Sequence, residues 1–137
     1  MGKVVNIEIA GKQYPMSFSL MASKKIMQQY GGADKLNASL QNGQDEKAIE
    51  MLLSILDLLI TQGCAYKNYF EKDVPPPENA PIIDGKWTPL PTDILEIAIG
   101  ISDMEMIKEK IQECIEAGNQ KNIEAVSSKK NVKTRRE

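Results

Sequence analysis

The sequence predicts a mainly α-helical chain with a small N-terminal β-hairpin, an α+β fold with a helical core built around one long apolar helix. Three observations predict it. The opening "VVNIEIAGKQYPMSFS" alternates apolar and polar residues with period two, the pattern of a half-buried strand pair. Residues 48–60, "AIEMLLSILDLLI", carry ten apolar side chains in thirteen, with their polar residues confined to one helical stripe. Beyond Pro91, apolar residues recur at helical spacing as far as Gly118.

In the opening stretch Val5, Ile7 and Ile9 point one way with Tyr14, Met16 and Phe18, while Asn6, Glu8, Gln13 and Ser17 point the other. Folding about Gly11-Lys12 pairs Ile9 with Tyr14, Ile7 with Met16 and Val5 with Phe18, each an apolar cross-strand pair. In that register a two-residue loop would require position 15 to donate a ladder hydrogen bond, which Pro15 cannot do. The expectation is therefore a four-residue loop, Ala10 to Gln13, with the second strand at a sheet edge and the hairpin over residues 4–18.

Ser19 is the expected N-cap of a helix over residues 20–30, with Leu20, Ile26, Met27 and Tyr30 on one side and "GG" at 31–32 ending it. A short helix over 33–41 carries Leu36 and Leu40 and stops at Asn42-Gly43. The long helix is expected over 45–72, with a bend at Gly63. In it Glu50, Ser54, Asp57 and Thr61 form a polar stripe only ~60° wide, and apolar side chains cover ~220°. A membrane span is the poorest explanation, because the run is shorter than ~20 residues and contains two acids. Burial in the chain's own fold, and burial partly against a partner or second copy, both remain open.

"DVPPPENAPIIDGKWTPLP" is punctuated by proline and reads as a connection, with Asp84-Gly85 turning a tiny hairpin between Ile82-Ile83 and Trp87. Trp87 is expected to pin this long loop to the body. Pro91-Thr92-Asp93 starts a helix over 92–101, which Ile94, Leu95, Ile97, Ala98, Ile99 and Ile101 predict to be well buried. Ser102 and Glu105 have the spacing of a capping box for a helix over 103–117. Met104, Ile107, Ile111, Cys114 and Ile115 lie on its one apolar stripe, and Gly118 stops it. Residues 1–118 thus form the expected domain.

Composition narrows the function classes. With 42% apolar and 26% charged residues in 137, the chain sits in the soluble globular range. The net charge of -2 conceals an asymmetry. Residues 119–137 hold six basic and two acidic side chains, a net +4, which leaves -6 on residues 1–118. This end is expected to be a fraying extension and then a disordered tail, and Lys129, Lys130, Lys133, Arg135 and Arg136 are its basic cluster. Those cations could touch phosphates, yet no aromatic residue interleaves them, so a solvated tail, a nucleic-acid contact and a protein contact stay open, with nucleic acid the weaker case.

There is no histidine, so Ser-His and Cys-His chemistry is impossible, and two cysteines fall short of a zinc ligand set. "YGGADK" lacks the lysine-Ser/Thr ending of a phosphate loop. Acidic residues at helix starts are explained by the helix dipole. The expectation is a protein that is not an enzyme and uses no cofactor or metal. No secretion signal opens the chain, Asn6 stands where myristoylation wants Ser or Thr, and the sequon "NAS" at 37–39 is a pattern only. An intracellular protein with reduced thiols is expected.

The order "IEIAGKQYPMSFSLMASKKI", "YGG", a short Leu-bearing helix and then a long apolar helix resembles the tail assembly chaperones of long-tailed bacteriophages and prophages, over about residues 4–117. The proline-rich "IIDGKW" loop has no counterpart in that pattern. The resemblance implies a non-enzymatic protein of the host bacterial cytoplasm. It would bind the tape measure protein and help recruit tail tube subunits. Many such chaperones are also made in a longer form by ribosomal frameshifting, and Lys129-Lys130-Asn131 could be encoded by the A-rich run such slipping needs.

A chaperone for apolar helices needs an apolar, adaptable groove, hidden by self-association when free, so a homo-oligomer is expected. The seven methionines could serve such a surface or simply fill the core. The expected partner and self-association surface is Met51, Leu52, Ile55, Leu58, Leu59, Tyr66, Tyr69 and Phe70, together with the hairpin edge. Two rival readings stand beside it. One is a small regulator contacting nucleic acid through its basic tail, and the other is a structural phage connector component.

Overall fold

The computed structural model describes residues 4–42 and 45–127. Two strands, β1 (Val5–Ile9) and β2 (Lys12–Met16), lead into α1 (Leu20–Tyr30), α2 (Ala33–Asn42) and α3 (Glu46–Phe70). A two-residue pair, β3 (Ile82–Ile83) and β4 (Lys86–Trp87), interrupts the proline-rich connection. Then come α4 (Thr92–Ala98), a 3-10 turn (Ile101–Asp103) and α5 (Met104–Ser127). The expected fold class holds, a helical core around one long apolar helix with an N-terminal antiparallel hairpin.

The hairpin corrects the expected register. Val5 pairs with Met16, Asn6 with Pro15, Ile7 with Tyr14 and Ile9 with Lys12. The loop is therefore the two residues Ala10-Gly11, both left-handed at φ 51° and 82°, as the twist of a tight hairpin demands. Moving the turn by one residue relocates Pro15. It now occupies a position whose nitrogen points away from β1, so no ladder bond is lost. The faces survive the shift, and Ile7, Ile9, Tyr14 and Met16 are all buried.

The α3 helix begins at Asp45, whose side chain accepts a hydrogen bond from the Ala48 N–H at 3.0 Å. It packs against β2, α1, α2, β4, α4 and α5 in turn, which explains why its apolar arc is so wide. Leu52, Leu53, Ile55, Leu56, Leu59, Ile60 and Cys64 are buried, while Glu50, Ser54 and Thr61 lie in solvent. By length and hydropathy this helix could also cross a membrane, but it is the central element of the chain's own core. The α1 helix is tied to it by Ser19. That hydroxyl accepts from the Ala22 N–H at 3.1 Å and donates to Gln62 Oε1 at 2.6 Å.

Three further expectations are corrected. In α1 the inward face is centred on Ala22 and Ile26, leaving Leu20 and Met27 exposed. The small Ala22 marks the line of closest approach, and a reading weighted to large apolar residues misses it. The helix expected over 92–101 ends at Ala98, and only Leu95 of it is buried. Ile97 and Ile101 stand 79% and 74% exposed. Gly100 breaks the helix, and its N–H donates to the Asp103 carboxylate at 2.9 Å, displacing the Ser102–Glu105 capping box. Finally, α5 runs through Gly118 to Ser127, past the stop expected at Gly118. Gly118 serves packing instead, because a Cβ there would lie 3.0 Å from the Phe18 side chain and carbonyl.

Candidate partner-binding surface

The partner surface expected from sequence separates into three groups. Leu52, Ile55 and Leu59 are enclosed, at 1% exposure or less, by the chain's own elements. They cannot meet a partner in this conformation, which corrects the expectation for those three. Met51, Leu58 and Tyr66 are half-buried. Only Tyr69 and Phe70, at 76% and 73%, are open. The reason is positional. β2 and α5 pack on α3, Cys64 is still buried, and only at the last turn do Tyr69 and Phe70 stand in solvent.

That projecting end is built from aromatic rings. Phe70 lies 5.2 Å from Tyr66 and 5.5 Å from Tyr69, centroid to centroid, both pairs tilted. Such mutual packing holds three large side chains in place without burying them. One turn earlier on the same helix, Gln62 Nε2 reaches the Met21 sulfur at 3.4 Å. Met21 is 55% exposed and its neighbour Leu20 78%, so flexible apolar side chains of α1 stand beside the same stretch of helix. Sequence reasoning did not assign Leu20 and Met21 to a surface. Their signal was present in the tight Ser19 cap, which fixes how α1 starts against Gln62.

The opposite flank of the helix end is locked to the proline-rich connection. Asn68 Nδ2 donates to the Trp87 carbonyl and Asn68 Oδ1 accepts from the Trp87 N–H, both at 2.9 Å. The Lys67 ammonium sits 5.4 Å from the Trp87 ring centre and pairs with Glu71 at 2.8 Å. Trp87 does therefore pin the loop, and Ile82↔Trp87 with Ile83↔Lys86 is the expected tiny hairpin. The connection is anchored again where the Gln13 N–H donates to the Asn79 carbonyl at 3.0 Å.

The hairpin edge expected to face partners is covered along β2. The Ser17 N–H donates to the Leu59 carbonyl of α3 at 3.0 Å, and Pro15 is buried. The outer edge of β1 carries the exposed residues Asn6 and Glu8. The basic cluster Lys129, Lys130, Lys133, Arg135 and Arg136 lies outside the described residues.

Reactive groups are few. Cys64 and Cys114 are free and buried, and burial pushes both thiols up to about 12. A backbone hydrogen bond with Phe18 offsets part of that rise at Cys114. The Tyr14 phenol is raised by burial and, secondarily, by its neighbour Cys64. Thiols held this firmly neutral are poor nucleophiles. Among the described residues, no group of three or more His, Cys, Asp or Glu is placed to hold a metal ion. What the surface can offer is an aromatic and thioether contact for another apolar surface. Comparison of the chain with protein-family models, with characterised proteins and with solved structures finds no match.

Proposed function

We propose that this chain is a tail assembly chaperone of a long-tailed phage or prophage, acting in the host cytoplasm. It binds apolar helical segments of the tape measure protein and helps bring tail tube subunits to it, without catalysis. One observation carries the reading, the aromatic end of α3, where Tyr69 and Phe70 stand in solvent on a buttressed helix. Aromatic side chains concentrate binding energy at protein contacts, and so large an exposed pair is uncommon on a surface that stays free. Leu20 and Met21, exposed at the start of α1 and held to α3 through Gln62, supply flexible side chains able to adjust to several client sequences.

The burial of Leu52, Ile55 and Leu59 reshapes this role. The docking surface is the end of the long helix together with the start of α1, and the middle of α3 is its scaffold. Self-association of the free chain would cover the same rings. Co-expression with the tape measure protein of the same genome tests the proposal. The two should co-purify, and the free chain should run larger than a monomer in size-exclusion chromatography with light scattering. A client that never co-purifies, with a strict monomer at high concentration, would overturn it.

A further inference from the structure

The outer edge of β1 has no neighbouring strand in the chain's own sheet. The two-residue loop makes Ile9–Lys12, Ile7–Tyr14 and Val5–Met16 the hydrogen-bonded pairs of the hairpin. The N–H and carbonyl groups of Asn6 and Glu8 therefore point away from β2, and among the described residues no loop or helix backbone bonds them. The two edges of the hairpin differ in protection. On β2, Pro15 offers no donor, and the Gln13 and Ser17 N–H groups are taken by the Asn79 and Leu59 carbonyls. On β1 there is no proline, lysine or bulge from Val5 to Ile9, the devices that ordinarily keep an edge from pairing with another chain. Glu8 is its one charge, and Asn6 and Glu8 both stand in solvent. Beside this edge opens a cavity of ≈ 280 Å³, lined by Glu8, Ile9 and Ala10 of the hairpin and by Ile99, Met106 and Ile107.

We infer that β1 pairs antiparallel with β1 of a second copy, about a two-fold axis at Ile7, so that two hairpins make one four-stranded sheet. The strand itself sets the register. With the axis at Ile7 the whole of β1 is paired, and Asn6 and Glu8 bond across to the partner's Glu8 and Asn6 through the groups left free by the hairpin. On the solvent face an amide then lies opposite a carboxylate, twice over by symmetry. An axis at Glu8 would set two carboxylates face to face, and an axis at Asn6 would leave Glu8 and Ile9 outside the paired length. The cavity receives a side chain in this register. Val5 is only half-buried in its own chain, and the partner's Val5 comes to stand opposite Ile9, on the face that Ile9 turns to the cavity. An apolar cavity of about 150 Å³ holds a benzene ring, so this one has room for a valine side chain. Tyr69 and Phe70 take no part in the contact, and the inference does not depend on the chaperone role.

Disulfide cross-linking reads the register. Cys64 and Cys114 are buried, so thiols introduced at the edge are the ones that react. A chain carrying Asn6→Cys is mixed with a chain carrying Glu8→Cys and oxidised with diamide. Opposed residues in a hydrogen-bonded antiparallel pair have Cα atoms about 5.5 Å apart, within disulfide reach, whereas identical positions lie on a diagonal of about 7–8 Å. The mixture should give roughly fivefold more covalent dimer than either variant alone. Adding Tyr69→Ser and Phe70→Ser to both chains should leave that yield unchanged, which separates this contact from the docking end of α3. In the same ring-free background, light scattering should find a dimer, and Glu8→Pro should make it monomeric with the helical signal kept. That substitution removes an edge donor that the hairpin's own ladder does not use. No excess of covalent dimer in the mixture would overturn the inference. So would a yield lost with the two ring substitutions, or a Glu8→Pro chain that stays dimeric.

Discussion

Pro15 in β2 and Gly63 in α3 meet backbone against backbone. A Cβ on Gly63 would collide with the Pro15 carbonyl and lie 2.8 Å from the Met16 nitrogen. This close approach brings the Ser17 N–H within 3.0 Å of the Leu59 carbonyl. That carbonyl is also the helical acceptor for the Gly63 N–H, four residues on. The hairpin is thus hydrogen-bonded to the side of a helix, and the missing donor of Pro15 falls where the strand touches Gly63.

Gly63→Ala should destabilise the fold although alanine favours helices. The helical gain is about 1 kcal/mol, while forcing a methyl against two strand residues costs about 3 kcal/mol. Urea unfolding should show a lower midpoint. A midpoint equal to or above wild type would mean that β2 does not sit this close to α3.

Both thiols should resist alkylation in the native state. With their ionisation raised from the ordinary 9.0 to about 12, the thiolate fraction at pH 8 falls roughly a thousandfold, before burial of the sulfur is counted. Iodoacetamide labelling followed by mass spectrometry should find Cys64 and Cys114 unmodified until denaturant is added. Rapid labelling of either in buffer alone would show that its cover opens.

Asp57 should make stability fall as pH rises through mild acidity. Burial lifts its carboxyl above the ordinary 3.8, so the folded chain holds that proton more tightly than the unfolded chain. The benefit is complete below the ordinary value and is lost as pH climbs through the raised one. Above that window the ionised side chain destabilises. Asp57→Asn should raise the neutral-pH urea midpoint and flatten the dependence across the window. A lower neutral midpoint would reverse the assignment.

Asn68→Ala should free the proline-rich connection. It removes both 2.9 Å hydrogen bonds to the Trp87 backbone, a loss of about 2 kcal/mol of anchoring. The chain's only tryptophan reports it. Its emission should shift to the red, and protease cleavage between residues 72 and 91 should accelerate, with the helical signal of the core retained. Unchanged emission and cleavage would assign the anchoring to Lys67 and Gln13.

Periodicity made the core legible. Period two exposed the hairpin faces, and the helical spacing of Ile107, Ile111, Cys114 and Ile115 marked the buried stripe of α5, each now at 2% exposure or less. Register was not legible in the same way. Moving the turn from Gly11-Lys12 to Ala10-Gly11 preserves every face, so alternation alone does not choose between them. Glycines were ambiguous for a related reason. Gly118 reads as a helix stop until Phe18 is seen to lie against it.

The partner surface was only partly legible. Width of the apolar arc on α3 pointed to more than one covering element, but not to whether those elements belonged to the same chain. α3, which carries the buried Leu52, Ile55 and Leu59, packs on β2, β4, α4 and α5, and some of these elements are distant in sequence. Tyr69 and Phe70 are open while Lys67 and Asn68 on the same turn meet Trp87, a matter of where the connection crosses the helix end, which composition does not record. Ile97 and Ile101 read as core because they are isoleucines, yet Ile97 lies on the exposed side of α4 and Ile101 beyond its end, both in solvent.

The most direct test of the docking role replaces the two open rings and nothing else. The tape measure protein of the same genome would be co-expressed with the wild-type chain and with a Tyr69→Ser, Phe70→Ser double variant, and the soluble fraction of the client measured. Both side chains are exposed, so the variant should keep the wild-type unfolding midpoint within about 0.5 kcal/mol. The account predicts that soluble client falls at least fivefold with the variant. Equal client solubility with both chains, at equal expression, would contradict it.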